Sequence, residues 1–581
     1  MYLRMTKRRN ADGSEVRYYQ LAENVWDAAK GCSVTRVVYN FGRADQLDGD
    51  ALRRLASSIL RVVPDGGTLP VGAASQGGDL HLRDSWPYGG ALALGSLWSE
   101  LEIDKVLDKL ATEAGTKVPI ERALFAMVAN RALAPCSKLY CFEQWIRQEV
   151  QIPGTSSLAL HHLYRSMDFL EDNKEAVEKA VYFATADLMN ADVDLVFYDT
   201  TSLHFEVDEE DEGTTMRGGT EHPPLRKRGH SKNGREDAPQ IVVGLAVTRD
   251  GLPVRSWVFP GNKADVTTVE KVKQDLKGWK LGRCVFVGDA GMNSEDNRRK
   301  LALGGGKYIL ASRIRAGDEV TTDVLRRAGR YQEVADNLRV KEFFVGDGER
   351  RTRYVVCHNP HEETRQRKHR ERLIELLVCE LESLKPSATG HSKRMCELQT
   401  SRRFGRYLRE VNGVLVIDQA AVAREANFDG KWVLTSNDDT LTPEDLALGY
   451  KQLMRVEECW RQLKSGLKMR PVFHHRPWRI QAHVTLSVLA LLLERIAEIR
   501  SGQTWRDVRD ELEKLKVVEY DRDGHRIRQT TELRSGTATL LGKLKVKPPA
   551  KLVSIEPVPK ALSEEGGTEA EEPQPEGEAV G

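Results

Sequence analysis

The sequence predicts an α/β protein: a mixed β-sheet with flanking helices, interrupted by an inserted domain and preceded by β-rich and helical regions. Three observations predict this fold class. Residues 193–312 contain segments typical of strands and helices in the order βββαβαβ, which indicates a sheet with helices on its faces. This pattern stops over residues 313–429, and helical periodicity returns after them. The chain has 581 residues, too many for a single hydrophobic core.

The N-terminal part of the chain is predicted to contain two regions. Residues 1–84 form a β-rich module, because polar and apolar residues alternate in EVRYYQL and TRVVYNFG. Residues 85–192 form a helical region, because apolar residues recur at helical spacing in PIERALFAMVANRAL and NKEAVEKAVYFATADLM.

The predicted sheet begins with the strand DLVFYDTT. Two strands joined by the turn RDG follow in PQIVVGLAVTRDGLPVRSWVFPGN, and CVFVGDAG and KYILAS are two more. The amphipathic segments DVTTVEKVKQDLKGW and SEDNRRKLALGG are the helices between them. Residues 313–429, with β-like pieces and the charged helix HEETRQRKHRERLIELLVCELESL, are the predicted insertion.

The C-terminal part is predicted to be helical and then disordered. Helical spacing returns at TPEDLALGYKQLMRVEECWRQLKSGL, within residues 430–500, and residues 501–555 are a helical, basic region. The last stretch, residues 563–581, is acidic without Lys or Arg, and residues 556–581 as a whole are rich in Pro, Gly and Glu. Such a composition buries too little apolar surface to offset chain entropy, so we expect a disordered tail.

Several sequence features predict a cytoplasmic protein. The first ten residues lack the apolar core of a secretory signal, and the apolar run at 484–493 is shorter than the ~18 residues of a membrane-spanning helix. The eight cysteines include no CxxC pair, so neither a zinc site nor a disulfide framework is indicated. We expect a cytoplasmic, nucleoid-associated protein with no membrane partner.

The net charge of +1 argues against a simple basic nucleic-acid binder. The acidic tail, however, hides a more basic remainder. The segments at 225–235 and 365–372 are candidates for contacts with a phosphate backbone, although solvated surface charge explains each of them equally well.

Two apolar strands end in an aspartate. Asp199 follows LVFY, and Asp289 follows VFVG and lies between a glycine and an alanine–glycine pair. Either residue alone is more typical of a turn at a strand end. If the two strands are neighbours in the sheet, however, both carboxylates lie at the same edge.

A predicted helix over residues 446–467 supplies a third carboxylate. Its apolar residues recur at three- and four-residue steps and form a core stripe: Leu446, Leu453, Val456, Trp460, Leu463 and Leu467. Tyr450, Glu457 and Lys464 are spaced by seven and form a polar column beside that stripe. Arg461 lies one turn beyond Glu457 and extends the column. An ordinary solvated helix face is the alternative.

Metal-assisted phosphoryl transfer requires this set of residues. Three carboxylates can hold two Mg²⁺ ions that activate the attacking oxygen and stabilise the leaving oxygen. Bound metal also offsets the repulsion between close carboxylates. The following segment KSGLKMRPVFHHRPWRIQAH, which includes Lys468 and Arg470, concentrates cations among aromatic residues, as in a phosphate-binding surface.

These motifs resemble those of a known family. YDTTS, GDAG and the segment YKQLMRVEECWRQLK, which carries Tyr450, Glu457 and Lys464, resemble the DDE transposases of bacterial insertion sequences with the signature Tyr-x2-Arg-x3-Glu-x6-Lys. The blocks WVFPGNKADVTTVE and RPVFHHRPWRIQAH are similar to the same family. The resemblance implies an RNase H-like catalytic core formed by residues 193–312 and 430–500.

The resemblance also implies an activity. Asp199, Asp289 and Glu457 would be the catalytic residues and would bind Mg²⁺, with Mn²⁺ able to substitute, for cutting transposon ends and joining their 3′-hydroxyls to target DNA. Tyr450 and Lys464 would bind phosphates near the cleaved end.

Further DNA contacts are expected around the signature. Leu453 stands at the position of the signature arginine and Arg455 follows two residues later, so Arg455 joins Arg461, Lys468 and Arg470 as a candidate DNA contact. Trp432, in GKWVLTSN, is a candidate for stacking on a DNA base, although a tryptophan in a buried strand is the commoner case.

The expected partners are double-stranded DNA, as terminal inverted repeats and as target, and a second copy in a synaptic homodimer. We expect the region 85–192 to bind the DNA ends. Two alternatives stay open: an RNase H-like nuclease without transposition, and an inactive copy that binds ends as a repressor.

Overall fold

A computed structural model describes residues 2–9, 15–27, 32–43, 80–189, 195–232, 234–277, 279, 284–314, 319–348, 351–384 and 393–558. The chain divides into two compact units, residues 1–80 and 81–581. The first unit contains a three-stranded antiparallel sheet in the order β1-β2-β3. Its strands are β1 (Tyr2–Arg9), β2 (Glu15–Asp27) and β3 (Cys32–Arg43).

The second unit begins with a strand and a group of helices. Residues 89–189 form mostly helices, and their buried core includes Trp98, whose indole nitrogen donates a 2.9 Å hydrogen bond to Glu121. The helices are Gly89–Glu100, Ile103–Glu113, Ile120–Leu133, Lys138–Tyr140, Leu160–Asp172 and Lys174–Met189, with a π-helical segment at Cys141–Glu149.

The remaining strands form the sheets of the second unit. They are β4 (His81–Pro87), β5 (Leu195–His204), β6 (Thr215–Arg217), β7 (Thr220–His222), β8 (Gln240–Val247), β9 (Pro253–Pro260), β10 (Val285–Gly288), β11 (Lys307–Ser312), β12 (Gln332–Ala335), β13 (Leu338–Val345), β14 (Thr352–His358), β15 (Leu408–Val411), β16 (Val414–Ile417), β17 (Lys431–Ser436), β18 (Lys516–Arg522), β19 (His525–Thr530) and β20 (Leu552–Pro557).

The largest sheet has nine strands in the order β12-β13-β14-β17-β11-β10-β5-β8-β9. The strands β5, β8 and β9 are successive antiparallel neighbours, whereas β10 is parallel to β5 and β11 is parallel to β10. A central first strand with an antiparallel pair on one side and parallel strands on the other is the RNase H-like arrangement that the resemblance implies. The helices Val269–Lys277 and Glu295–Ala302 and three short 3₁₀ turns connect these strands: Asp265–Thr267, Ala290–Met292 and Leu303–Gly305.

The interrupting segment extends this sheet. The strands β12, β13 and β14 are antiparallel neighbours, and β17 pairs with both β14 and β11. The sheet therefore continues from the RNase H-like strands into the residues predicted as an insertion. A buried ion pair of 2.6 Å between Arg370 and Asp429 joins the two ends of the helical excursion between β14 and β17. Its helices are Pro360–Glu382, Lys393–Thr400 and Gln419–Ala426, with a 3₁₀ turn at Gly405–Tyr407.

The helix predicted over 446–467 is divided into three parts. Residues Pro443–Lys451 and Met454–Arg461 are α-helical, and Gln462–Gly466 is π-helical. The amides of Leu453, Arg455 and Val456 bond to carbonyls three residues earlier, so the backbone is overwound at the junction. The continuous seven-residue column therefore does not form with ideal α-helical phase.

The helix Pro477–Ser501 is long and apolar enough to cross a membrane by length and composition, but 89% of its most apolar window is buried in the protein. It packs on the helices Ile120–Leu133 and Leu160–Asp172 and on β9. It is a core helix, as predicted from the shortness of the apolar run.

The residues after 501 are not entirely helical. The helices Trp505–Leu512 and Ser535–Lys543 accompany a sheet in the order β20-β19-β18-β4. The hairpin between β18 and β19 turns at Asp523 and Gly524, both with positive φ, and Asp-Gly is a strong hairpin signal that the helical prediction overlooked. The predicted tail lies outside the described residues from 559 onwards.

Candidate active site

The structure places Asp199 and Asp289 side by side. In the parallel pair of β5 and β10, Tyr198 and Gly288 are register partners, so the next residue of each strand is an aspartate. The stretch of β5 around Asp199 is buried because both faces of this central strand are covered. Asp199 itself is only partly buried. The two strands are neighbours, which is the condition under which the sequence placed both aspartates at one edge of the sheet.

The turn after Asp289 is held firmly. Asp289 precedes the 3₁₀ turn Ala290–Met292. The side-chain amide of Asn293 donates to the carbonyl of Ala311 at 2.7 Å and to the hydroxyls of Ser312 and Thr435, both at 3.2 Å. These bonds fix the segment after Asp289 to β11 and β17, which positions the carboxylate at the sheet edge.

Asp199 has a cationic partner that the sequence analysis missed. The Lys232 ammonium lies 3.6 Å from a carboxylate oxygen of Asp199 and 3.0 Å from one of Asp265. It also donates to the carbonyl and the hydroxyl of Thr200, both at 2.8 Å. Lys232 lies in the basic segment 225–235, whereas Asp265 lies in the block WVFPGNKADVTTVE. Because these residues follow no strand, their spacing gave no signal.

The electrostatics of this cluster are acidic. Burial raises the pKa of the Asp199 carboxyl, and the charges of Asp289 and Asp265 raise it further, while Lys232 opposes them. Burial is the main reason that the pKa of Asp199 is raised, and additional positive charge at this position would stabilise the ionised carboxylate.

Tyr450 contacts one of the predicted carboxylates and lies within electrostatic range of the other two. Its hydroxyl donates to Asp289 Oδ1 at 3.5 Å. Burial raises the pKa of Tyr450, and the charges of Asp289, Glu457 and Asp199 raise it further. One hydroxyl group is therefore within electrostatic range of all three predicted carboxylates.

Lys464 adds a cation to this site. Burial lowers its pKa to about 8, as do the charges of Arg470 and Lys232, while Asp199 opposes the shift. Tyr450 and Lys464 thus lie within electrostatic range of Asp199, and Tyr450 also within that of Glu457, even though their helix is divided.

The donor set fits a divalent cation in its chemistry. Within the described part of the chain, no three His, Cys, Asp or Glu side chains lie close enough together to hold a metal ion. Two carboxylates are nevertheless adjacent, and an ammonium group occupies the position of a counter-cation between Asp199 and Asp265. Carboxylate oxygens are the ligands that Mg²⁺ prefers.

The other predicted DNA contacts are distributed around this site. Arg455 forms a 3.0 Å ion pair with Glu458 beside the turn at Gly251. Trp432 is a partly buried residue of β17 opposite Cys357 and packs against the core, the commoner situation for a strand tryptophan.

Three predicted cations remain at the surface or at its edge. Arg461 and Lys468 are exposed and Arg470 is half-buried. Lys468 and Arg470 line a cavity next to the segment that follows Lys464.

Comparisons with known proteins identify the chain's relatives. Residues 212–493 match the family model "Transposase DDE domain", and residues 3–65 match "IS1634 family transposase, N-terminal domain". Asp289 and Glu457 lie within the first match, and Asp199 precedes it. No curated protein matches the sequence.

Solved transposase structures are similar at low identity. A piggyBac transposase synaptic complex with hairpin DNA is 10% identical with a TM-score of 0.33, covering 80% of this chain and 82% of that chain. A Mos1 transposase paired-end complex with the left transposon end is 11% identical with a TM-score of 0.13, covering 44% and 66%. A Mos1 mariner paired-end complex with Mn is 11% identical with a TM-score of 0.14, covering 44% and 71%.

The two family models match separate parts of the chain, and both describe transposases. The chain belongs to the DDE transposases of insertion sequences.

Proposed function

We propose that this transposase cuts DNA at the ends of a bacterial insertion sequence and joins the resulting 3′-hydroxyls to target DNA, with Asp199, Asp289 and Glu457 as its metal-binding carboxylates. One observation carries the proposal. The hydroxyl of Tyr450 bonds to Asp289, and its pKa responds to the charges of Glu457 and Asp199 as well. These interactions support a site at the edge of the sheet to which residues far apart in the sequence contribute.

Transposases of this family use divalent metal ions, and we infer Mg²⁺, with Mn²⁺ as a substitute. When bound, the metal would activate the attacking oxygen and stabilise the leaving oxygen. Asp199 and Asp289 would hold it from the sheet and Glu457 from the helix. Lys232, which forms ion pairs with Asp199 and Asp265, would release Asp199 to the metal and keep its ion pair with Asp265.

Cations around the carboxylates would bind the DNA strand. Tyr450 and Lys464 would contact phosphates nearest the cleaved bond, because both lie within electrostatic range of Asp199. Arg461, Lys468 and Arg470 would continue the contact along the backbone, where each neutralised phosphate releases counterions. Arg455 and Trp432 are weaker candidates, because one is paired with Glu458 and the other packs on the core.

The assembly that performs the reaction is a synaptic homodimer in this proposal. Residues 85–192 would bind the terminal inverted repeats, and the protein would act in the cytoplasm on nucleoid DNA.

The test compares two neighbouring glutamates. Glu457→Gln should abolish metal-dependent cleavage of a labelled transposon end but leave end binding intact. Glu458→Gln, on the same helix, should cleave normally, because Glu458 pairs with Arg455 instead. Asp199→Asn and Asp289→Asn should behave like Glu457→Gln.

Two outcomes would contradict the proposal. Normal cleavage by Glu457→Gln would remove this residue from the site. Nicking of unrelated DNA by the wild-type protein, without end preference and without joining, would favour the nuclease alternative.

A further inference from the structure

A cationic cavity of about 670 Å³ lies next to the segment that follows Lys464. The helices Ile120–Leu133, Leu160–Asp172 and Pro477–Ser501 and residues 468–474 contribute to its lining. Its basic residues are Arg131, Lys138, Lys468, Arg470, His474 and His483. Among the described residues that line it there is no Asp or Glu, so four formal positive charges share one cavity without a lining counter-charge.

Lys138 is the strongest sign that the cavity has a ligand. Its side chain is buried, with 4% of the residue exposed, and its ammonium nitrogen has no hydrogen-bond partner. An ammonium group has three donors, and burying an unpaired charge costs several kcal/mol. Burial lowers the pKa of Lys138 to about 7, and the charge of Arg131 lowers it further.

Arg131, next to Lys138, already donates its hydrogen bonds to backbone carbonyls, so Lys138 is the cation with donors available to a ligand. The Arg131 guanidinium donates to the carbonyls of Leu467 and Lys468 at 3.3 and 3.0 Å and to that of Cys136 at 3.3 Å. Arg131 therefore holds the wall in place and contributes its charge.

The two histidines extend the same wall. Their rings lie 5.5 Å apart, and His483 Nε2 bonds to the carbonyl of Met469 at 2.9 Å. His483 is 3% exposed, and its Nδ1 has no partner. Burial and the nearby cations lower the pKa of both imidazoles, that of His474 to about 3. An anion bound in the cavity would offset the mutual repulsion of the positively charged side chains that line it.

The rim of the cavity indicates where such an anion comes from. Phe473 lines the cavity and is 71% exposed, and every nucleic-acid base can stack on an exposed aromatic ring. Lys468 and Arg470 lie beside it and follow Lys464 closely in the chain. Cations next to an exposed ring are typical of a surface that binds a nucleic-acid strand.

We propose that this cavity binds a phosphate group of a DNA strand, with Lys138 as the buried donor and Phe473 against an adjacent base. The DNA source of the phosphate rests on the proposed function, whereas the phosphate site itself does not. Lys468 and Arg470 supply the outer charge, and Arg131 positions the wall behind Lys138.

The test uses Lys138→Met, which keeps the length of the side chain and removes its charge. The matched control for the melting experiment is Lys109→Met, because Lys109 is exposed and forms a surface ion pair with Glu113 at 3.9 Å. Thermal melting is followed during titration with inorganic phosphate. Binding of a fluorescent transposon-end duplex is then measured by anisotropy at several salt concentrations without metal.

The expected result has two parts. Phosphate raises the melting temperature of the wild type and of Lys109→Met but not that of Lys138→Met. Lys138→Met also weakens DNA binding about tenfold and lowers the slope of log affinity against log salt by about one, as expected for one lost phosphate contact.

Each contrary result has a distinct meaning. Phosphate stabilisation without any change in DNA binding would overturn the DNA assignment and give the site to a free phosphate. Equal phosphate responses of the wild type and Lys138→Met would overturn the site itself. The proposed function is tested by a different assay: normal metal-dependent cleavage by Glu457→Gln would contradict it and would leave the phosphate site unaffected.

Discussion

Removing the charge of Lys138 should stabilise the ligand-free protein at low pH more than at high pH. Lys138 is 4% exposed, and its pKa falls from 10.5 to about 7 in the folded state. The unfolded chain binds this proton up to the ordinary pKa. Stability therefore rises with pH between the two values, because the unfolded state binds more protons there.

The neighbours of Lys138 remain in one charge state over that range. Arg131 stays protonated, because a guanidinium group is not deprotonated in proteins; Lys468 and Arg470 also line the cavity. The pKa values of His474 and His483 are lowered, so both imidazoles stay neutral in the folded protein.

Two thiols lie next to Lys138, and burial raises the pKa of Cys141 to about 12 and also raises that of Cys136. These cysteines ionise in the unfolded chain at high pH, but they do so equally in the wild type and the variant. The difference between the two proteins therefore isolates Lys138.

The size of the effect follows from the pKa shift. Below the folded-state pKa, the wild type carries a destabilisation of about 5 kcal/mol, since each pKa unit corresponds to about 1.4 kcal/mol. At about pH 9 the lysine is neutral in the folded state, and the remaining penalty is about 2 kcal/mol. The advantage of Lys138→Met over the wild type should thus fall by about 3 kcal/mol between about pH 6 and about pH 9.

Urea unfolding in a phosphate-free buffer at both pH values measures this difference, with Lys109→Met as the surface control. The control should differ from the wild type equally at both pH values. An advantage of Lys138→Met that does not change with pH would refute the reasoning, because Lys138 would then be charged throughout or solvated.

Three further changes test the active site. Lys232→Met removes the cation shared by Asp199 and Asp265. MgCl₂ should therefore raise the melting temperature of the variant more than that of the wild type. An equal rise would show that Lys232 does not occupy the position of a metal ion. Tyr450→Phe keeps the ring and loses one weak hydrogen bond, so the free energy of unfolding should change by no more than about 1 kcal/mol. Metal-dependent end cleavage should nevertheless slow, and unchanged cleavage would exclude a role for the hydroxyl. In Gly244→Ala the new methyl group would lie 2.6 Å from the Tyr198 hydroxyl oxygen. This overpacking should lower the free energy of unfolding by about 1–3 kcal/mol. An unchanged midpoint of urea unfolding would contradict the register of β5 and β8.

The sequence predicted the parts of the structure that follow from local pattern. Asp199 and Asp289 each end an apolar strand, and parallel pairing of those strands brings them together. The stripe of the predicted helix placed Leu446, Val456 and Leu463 in the core, where all three are fully buried. Periodicity sufficed because each of these residues is placed by its own element.

The missed features depend on contacts between distant segments. Lys232 and Asp265 are brought to Asp199 by loops, and no spacing rule relates a loop lysine to a strand aspartate. Lys138 and His483 are 345 positions apart (483 − 138) and meet only through helix packing. The break at Gln452 is a backbone adjustment that the apolar stripe does not encode.

The convergence of Asp199, Asp289 and Glu457 on a common metal site is tested most directly by a manganese anomalous difference map of the protein in complex with a transposon-end duplex. We expect a peak about 2.1 Å from carboxylate oxygens of Asp199 and Asp289, with Glu457 completing the site and Lys232 withdrawn from Asp199. A peak coordinated by Asp199 and Asp265 with Glu457 turned away, or no peak at this edge of the sheet, would contradict the account.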